Sequence, residues 1–303
     1  MARMSHVRID RARPQPDVDD LQIVGEGPPL LMIPGIQGRR EWMQPAVDAM
    51  AREFRVISFS LCGEPGSRRP FDPEHRFDVQ LEQVDDALDR AGVERTAICG
   101  VSYGGWVALM YAATRPHRVE SLVLVSTPPP NYEPNPRIAR YVEAPMRSAP
   151  AFVVKASGRL LREVAAALPD WRMRARFTFE HLRRVMGAPM SPTRMAWRMK
   201  AAREVDFVNA CGRIVQPTLI VTGQPDLDAV VPVEHTRRYA DLIRHAEVAT
   251  LERTGHVGLV TKPEAFATLV GTFLTRHAST PGAATPQDDP VRLRVDREAG
   301  RHP

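Results

Sequence analysis

From Leu21 onward, short apolar runs alternate with longer stretches whose apolar positions recur every three or four residues. Leu30 to Ile33 (LLMI) predicts a buried strand that ends at Pro34-Gly35, and Phe54 to Phe59 (FRVISF) predicts a second. Between them, Glu41 to Arg52 has a helical pattern. Val79 to Arg90 places Leu81, Val84, Leu88 and Ala91 at spacings of three and four, which defines one apolar helix face. A strand at Thr96 to Cys99, a helix from about Tyr103 to Thr114 and a strand at Ser121 to Val125 follow. Alternation of this kind requires crossover connections and a parallel sheet.

The alternation stops at Thr127, where the run to Pro136 (TPPPNYEPNP) is too rich in proline for either element. From about Ile138 to Asn209 the pattern is helical throughout. It resumes as a sheet with Thr218 to Thr222 (TLIVT), a helix near Glu234 to Ile243, a strand at Glu247 to Leu251 and a helix at Pro263 to Arg276. The expected fold class is therefore α/β, a mostly parallel central sheet flanked by helices with an all-helical cap insertion. Residues 1–127 and 212–278 form the core, 128–211 the cap, and 279–303 a tail with too few large apolar residues to offset ordering entropy, hence disordered.

Composition changes this picture little. With 43% hydrophobic and 25% charged residues among 303, the chain can bury a substantial core. The formal charge of +5 is too small and too scattered to argue for nucleic acid. Fifteen Lys and Arg stand against four Asp and Glu between Arg137 and Arg203, and a solvated helix face is the first reading of that excess, recognition of an anion or a lipid surface the second. Cys62, Cys99 and Cys211 have no metal-binding or disulfide spacing. Met1 to Asp20 lacks the apolar stretch of a signal peptide, and no window approaches the roughly 18 apolar residues of a membrane span. A cytoplasmic protein without stable membrane insertion is expected. Its oligomeric state has no sequence signal.

The candidate chemistry lies where a strand hands over to a helix. Gly100 and Gly104 bracket Ser102 as G-x-S-x-G within Gly100-Val-Ser-Tyr-Gly-Gly105. Such a turn holds the serine in a strained conformation above the sheet, and only small neighbours let strand and helix approach that closely. The bland alternative is a Gly-rich turn with an ordinary N-cap serine. A serine needs a base, itself oriented by a third group, to act as a nucleophile near neutral pH. His256, in Thr254-Gly-His-Val-Gly258 just past the last predicted strand, is the candidate base. For the acid, Asp226 and Asp228 compete in the loop after Thr222; Asp226, closer to Gly223, is preferred and Asp228 is the alternative. The acid must be partly buried to hold the imidazole tautomer.

In the chain order Ser102, acid, His256, the stretch from about Leu21 to His277 resembles the α/β-hydrolase fold superfamily in its capped branch. The resemblance implies an oxyanion hole from the backbone N–H groups of Ile36, in Ile33-Pro-Gly-Ile-Gln-Gly38, and Tyr103. Two positions depart from the family pattern. Pro34 stands where a His often precedes the glycine. The usual Asp-x-Arg-Gly-x-Gly-x-Ser becomes Ser60-Leu-Cys-Gly-Glu-Pro-Gly-Ser67, which keeps the glycines and loses the charged pair.

The implied function is a serine hydrolase that acts on a carboxylic ester or lactone of a small, largely apolar molecule and needs no metal or organic cofactor. The alternatives are a carbon–carbon bond hydrolase with the same triad, and a non-catalytic small-ligand receptor. Among Tyr132, Tyr141, Trp171, Phe177, Phe179, Trp197 and Phe207, a minority are expected to line a substrate pocket under the cap, the rest to be cap core.

Overall fold

Alternate residues of each central strand enter two separate apolar cores, one on either side of a seven-stranded sheet. The computed structural model describes residues 20–278, except 73, 75, 134 and 135, so the predicted tail at 279–303 lies outside the described residues. The strands are β1 (Leu21–Val24), β2 (Pro29–Ile33), β3 (Arg55–Phe59), β4 (Thr96–Val101), β5 (Val119–Val125), β6 (Thr218–Thr222) and β7 (Ala246–Thr250). They are ordered β1-β3-β2-β4-β5-β6-β7, and all neighbours are parallel except β1 and β3.

On one face, Leu31, Ile33, Ile98 and Leu122 pack against α2 (Asp78–Arg90) and α3 (Tyr103–Thr114). On the other, Leu30, Met32, Cys99 and Val123 pack against α1 (Gln44–Met50) and a C-terminal helix at Pro263–Arg276. Leu30 to Ile33 are all fully buried, which is why β2 reads as an unbroken apolar run rather than an alternating one.

Two expected helices are divided. Glu41 to Arg52 becomes a 3₁₀ turn at Arg40–Met43 followed by α1, whose second residue, Pro45, has no N–H to extend a ladder backwards. β1 was not among the expected strands; it is a four-residue edge strand with one face half-exposed, a length at which alternation has little contrast.

Between β5 and β6 the regular elements among the described residues are all helices: α4 (Pro136–Glu143), α5 (Pro145–Ala167), α6 (Trp171–Gly187), α7 (Pro192–Ala202) and α8 (Phe207–Gly212). The β6 to β7 connection holds α9 (Val233–Arg237) and α10 (Tyr239–Leu242), two short helices where one was expected. After β7 come α11 (Gly258–Thr261) and α12 (Pro263–Arg276). β4 and β5 lie at the centre of the sheet, so the loops after them, after β6 and after β7 meet at one end, where the strands finish.

Candidate active site

Ser102 sits between β4 and α3 with φ 51° and ψ −117°, in the left-handed region that a non-glycine residue occupies at a cost of about 1–3 kcal/mol. Close packing holds it there. A Cβ on Gly100 would lie 2.3 Å from the Gly104 carbonyl oxygen, and one on Gly104 would lie 2.5 Å from that of Ile33. The Ser102 amide donates to the Val125 carbonyl (2.7 Å), which ties the turn to the neighbouring strand. Ser102 thus stands at the N-terminus of α3, where the helix dipole favours negative charge.

His256 comes from the loop after β7. Its Nε2 lies 3.2 Å from Ser102 Oγ, and its Nδ1 lies 3.3 Å from Asp228 Oδ2. With Nδ1–H donating to the carboxylate, Nε2 is the acceptor for the serine proton. Asp228 is 4% exposed, and its other oxygen accepts from the Val230 (3.1 Å) and Val231 (3.0 Å) amides. Burial opposes its charge, but the His256 ring and those amides outweigh burial and hold the carboxyl below the ordinary range.

The preference for Asp226 is corrected by this geometry. Asp226 is exposed. The chain after Gln224 turns tightly, with the amides of Leu227 and Asp228 both bonded to the Gln224 carbonyl, and it is Asp228 that is carried inward against the imidazole.

Burial also disfavours a charged imidazole, yet His256 is held above the usual histidine value, because the Asp228 charge and hydrogen bond, and the charge of Glu163, exceed that penalty and the opposing Arg159. Glu163 was not singled out from the sequence. It arrives on α5 and is 3% exposed; its Oε2 accepts from the Val257 amide (3.2 Å), and the Gly255 amide also bonds to it. The insertion therefore grips the two residues that flank His256. No local pattern marks such a residue: it is the single acid of a basic helix, and only the fold brings it there.

A second grip acts on the loop after β2. Arg198 of α7, fully buried, donates through Nη1 to the Ile36 carbonyl (2.9 Å) and through Nη2 to Cys62 O (3.1 Å) and Glu64 Oε1 (2.7 Å). Glu64 lies in the Ser60 to Ser67 stretch, so a charged pair ties that stretch to α7. Ile36 is the first central residue of the turn closed by Gly38 N–H to Gly35 O (2.9 Å). Tyr103 is the first residue of α3, and the first amides of a helix have no acceptor within it.

These are one seryl, one imidazole and one carboxylate group in hydrogen-bonding sequence, assembled from the loops after β4, β7 and β6. The chain matches the family model of the alpha/beta hydrolase fold over residues 28–263. It belongs to the α/β-hydrolase fold family. Over 265 residues it is 27% identical to the putative carbamate hydrolase RutD of a Caulobacter species, an alignment that covers 82% of this chain and 91% of that protein. It is also 27% identical, over 82% of this chain and 88% of the relative, to a 2-hydroxymuconate semialdehyde hydrolase of a Pseudomonas species. The enol-lactonase of Burkholderia xenovorans superposes with a TM-score of 0.68 at 22% identity, covering 84% of this chain and 95% of that one. This α/β-hydrolase thus shares its reaction class, hydrolysis, with its named relatives.

Among the described residues of the hydrolase, no group of three or more His, Cys, Asp and Glu side chains is placed to hold a metal ion, and no helix is long and apolar enough to cross a membrane. The aromatics of the segment between β5 and β6 divide sharply. Phe207 stacks on Trp106 in the core (4.7 Å between centroids), and Tyr132 meets Trp106 edge-on. These three, with Met199 and Arg203, border a cavity of about 270 Å³ that none of Ser102, Asp228 and His256 lines. Trp197 is buried, Phe177 stacks on His181, and Trp171 and Phe179 are each 69% exposed.

Proposed function

We propose that the protein is a serine hydrolase that cleaves a carboxylic ester or lactone of a small, largely apolar substrate through an acyl-enzyme on Ser102. The observation that carries this reading is the position of His256, with Nε2 3.2 Å from Ser102 Oγ and Nδ1 3.3 Å from the buried Asp228. As Oγ attacks the carbonyl carbon, its proton passes to Nε2. The imidazolium that forms is stabilised by Asp228, which stays ionised. The carbonyl oxygen takes up the electron pair and is met by the amides of Ile36 and Tyr103; losing one such donor typically costs roughly 3–4 kcal/mol of transition-state stabilisation. Collapse expels the alcohol, which takes the proton from Nε2, and leaves Ser102 acylated. Water then gives its proton to Nε2 and attacks the acyl carbon, and Ser102 departs with that proton.

A fluorophosphonate probe tests the first step. Wild type is labelled and Ser102→Ala is not; turnover of p-nitrophenyl esters by Ser102→Ala at the wild-type rate overturns the mechanism. A second reading, hydrolysis of a carbon–carbon bond next to a ketone with the same three side chains, is supported by the 27% identity to a 2-hydroxymuconate semialdehyde hydrolase. Comparing kcat/KM for small esters, lactones and vinylogous diketo acids decides between them: a hundredfold preference for the diketo acid selects the second.

A further inference from the structure

Helix α6 is seventeen residues long, and none of them is buried. Five of its six exposed apolar residues lie on one side, with Met173 alone off it. Trp171, Ala175, Phe179, Leu182 and Met186 follow one another at spacings of four, four, three and four, which puts them on a single stripe of the helix. Trp171 and Phe179 are 69% exposed and Met186 68%. A different stripe of α6 attaches it to the rest of the protein. Phe177 stacks on His181, His181 meets Trp42 edge-on, and Arg174 donates to the Leu168 carbonyl (2.7 Å). Helix α5 adds Met146, Val153, Val154 and Leu161, all exposed.

Charge says what covers this stripe. From 145 to 187 there are nine Lys and Arg against three acids, a surplus of six in a chain whose total is five; the remainder of the molecule is close to neutral. The three acids are each engaged locally, and the surplus of six remains after they are counted. Glu163 is buried beside His256, Asp170 caps α6 through the Arg172 amide (3.1 Å), and Glu180 is paired with Arg176 (2.9 Å) and Arg184 (3.5 Å). Arg172 also lies over the Trp171 ring, 5.6 Å from its centroid. A second copy of the chain would bring two strongly positive surfaces together, which electrostatics opposes.

We propose that the apolar stripe of α6, with its arginine border, docks on the surface of an anionic phospholipid bilayer. Large apolar and indole side chains beside Arg on one helix are what an interface of acyl chain and anionic headgroup accepts, with the helix lying in the plane of the surface. The contact is peripheral, since no described helix can cross a membrane. It does not depend on the reaction assigned to Ser102.

The test uses the full chain with vesicles of phosphatidylcholine alone and of phosphatidylcholine mixed with phosphatidylglycerol, read by co-sedimentation and by tryptophan emission. The expected result is binding at least about tenfold tighter to the anionic vesicles, with a blue shift from Trp171, weakened by added salt. The double variant Trp171→Ser, Phe179→Ser loses binding while unfolding at the parent temperature, and Arg176→Gln with Arg183→Gln weakens it several-fold. Three results overturn the proposal: no binding to anionic vesicles, equal binding to both kinds without salt dependence, or a parent dimer, without vesicles, that the double variant disperses to monomers.

Discussion

Two aspartates two positions apart differ in everything that decides their chemistry. Asp228 is buried, receives two backbone amides and faces His256 Nδ1, whereas Asp226 is exposed. Asp228→Asn is expected to lower kcat by about 10⁴, because it removes the acceptor that fixes the ring tautomer, and Asp226→Asn to leave it within about twofold. Steady-state kinetics with one chromogenic ester compares them directly. The same environment sets a pH dependence. In the proposed mechanism His256 acts as a base only when neutral, so activity falls as pH drops through its pKa. Asp228 and Glu163 raise that pKa and Arg159 lowers it, with a net rise, so the acid limb of kcat/KM lies above the ordinary imidazole value of about 6.5. Glu163→Gln removes one of the raising charges and keeps the two amide contacts, so the limb moves to lower pH with little change in KM. A purely structural role for Glu163 would change amplitude and leave the limb in place.

At the scale of elements, strain and buried charge fasten the loops of the candidate site. The Ser102 backbone at φ 51° is tolerated by glycine and resisted by alanine. Ser102→Gly is therefore expected to be more stable than Ser102→Ala by about 1 kcal/mol in denaturant unfolding, although neither can form an acyl-enzyme. The Arg198–Glu64 pair, with both side chains fully buried, joins α7 to the loops after β2 and β3. Removing Arg198 leaves the buried Glu64 with only the longer contact to Arg194 (3.5 Å), so Arg198→Met should lower stability by about 3 kcal/mol. It also frees the Ile36 carbonyl, and kcat should fall further than the loss of folded protein explains, measured well below the variant's unfolding temperature.

At the scale of the molecule, β1 is the only antiparallel strand among the described residues and guards one edge of β3. Asp20, just before it, pairs with Arg90 at the end of α2 (2.8 Å). A chain that begins at Gly25 loses both the strand and that ion pair; its unfolding temperature is expected to fall by roughly 5 °C in a thermal melt, while fluorophosphonate labelling of the folded protein persists. The loops that carry Ser102, Asp228 and His256 follow β4, β6 and β7, beyond β2 from this edge, which is why labelling can persist when the edge weakens.

What could be read from the chain is what neighbouring residues decide. β6 and α12 have the bounds their apolar runs predict, Thr218–Thr222 and Pro263–Arg276, because a strand buried on both faces and a helix opened by proline each leave a local record. The serine turn was legible for the same reason, since its glycines meet backbone only a few residues away or on the adjoining strand. The break between α9 and α10, the edge pairing of β1 and the identity of the carboxylate beside His256 were not. A side chain's direction at the end of a tight turn depends on backbone angles that composition does not encode, and a two-residue difference there separates solvent from the protein interior. Glu163 and Arg198 were still less accessible. Each lies 90 or more residues from the loop segment it holds, Val257 and Ile36, and a hydrogen bond across that distance exists only once the sheet has brought the two segments together.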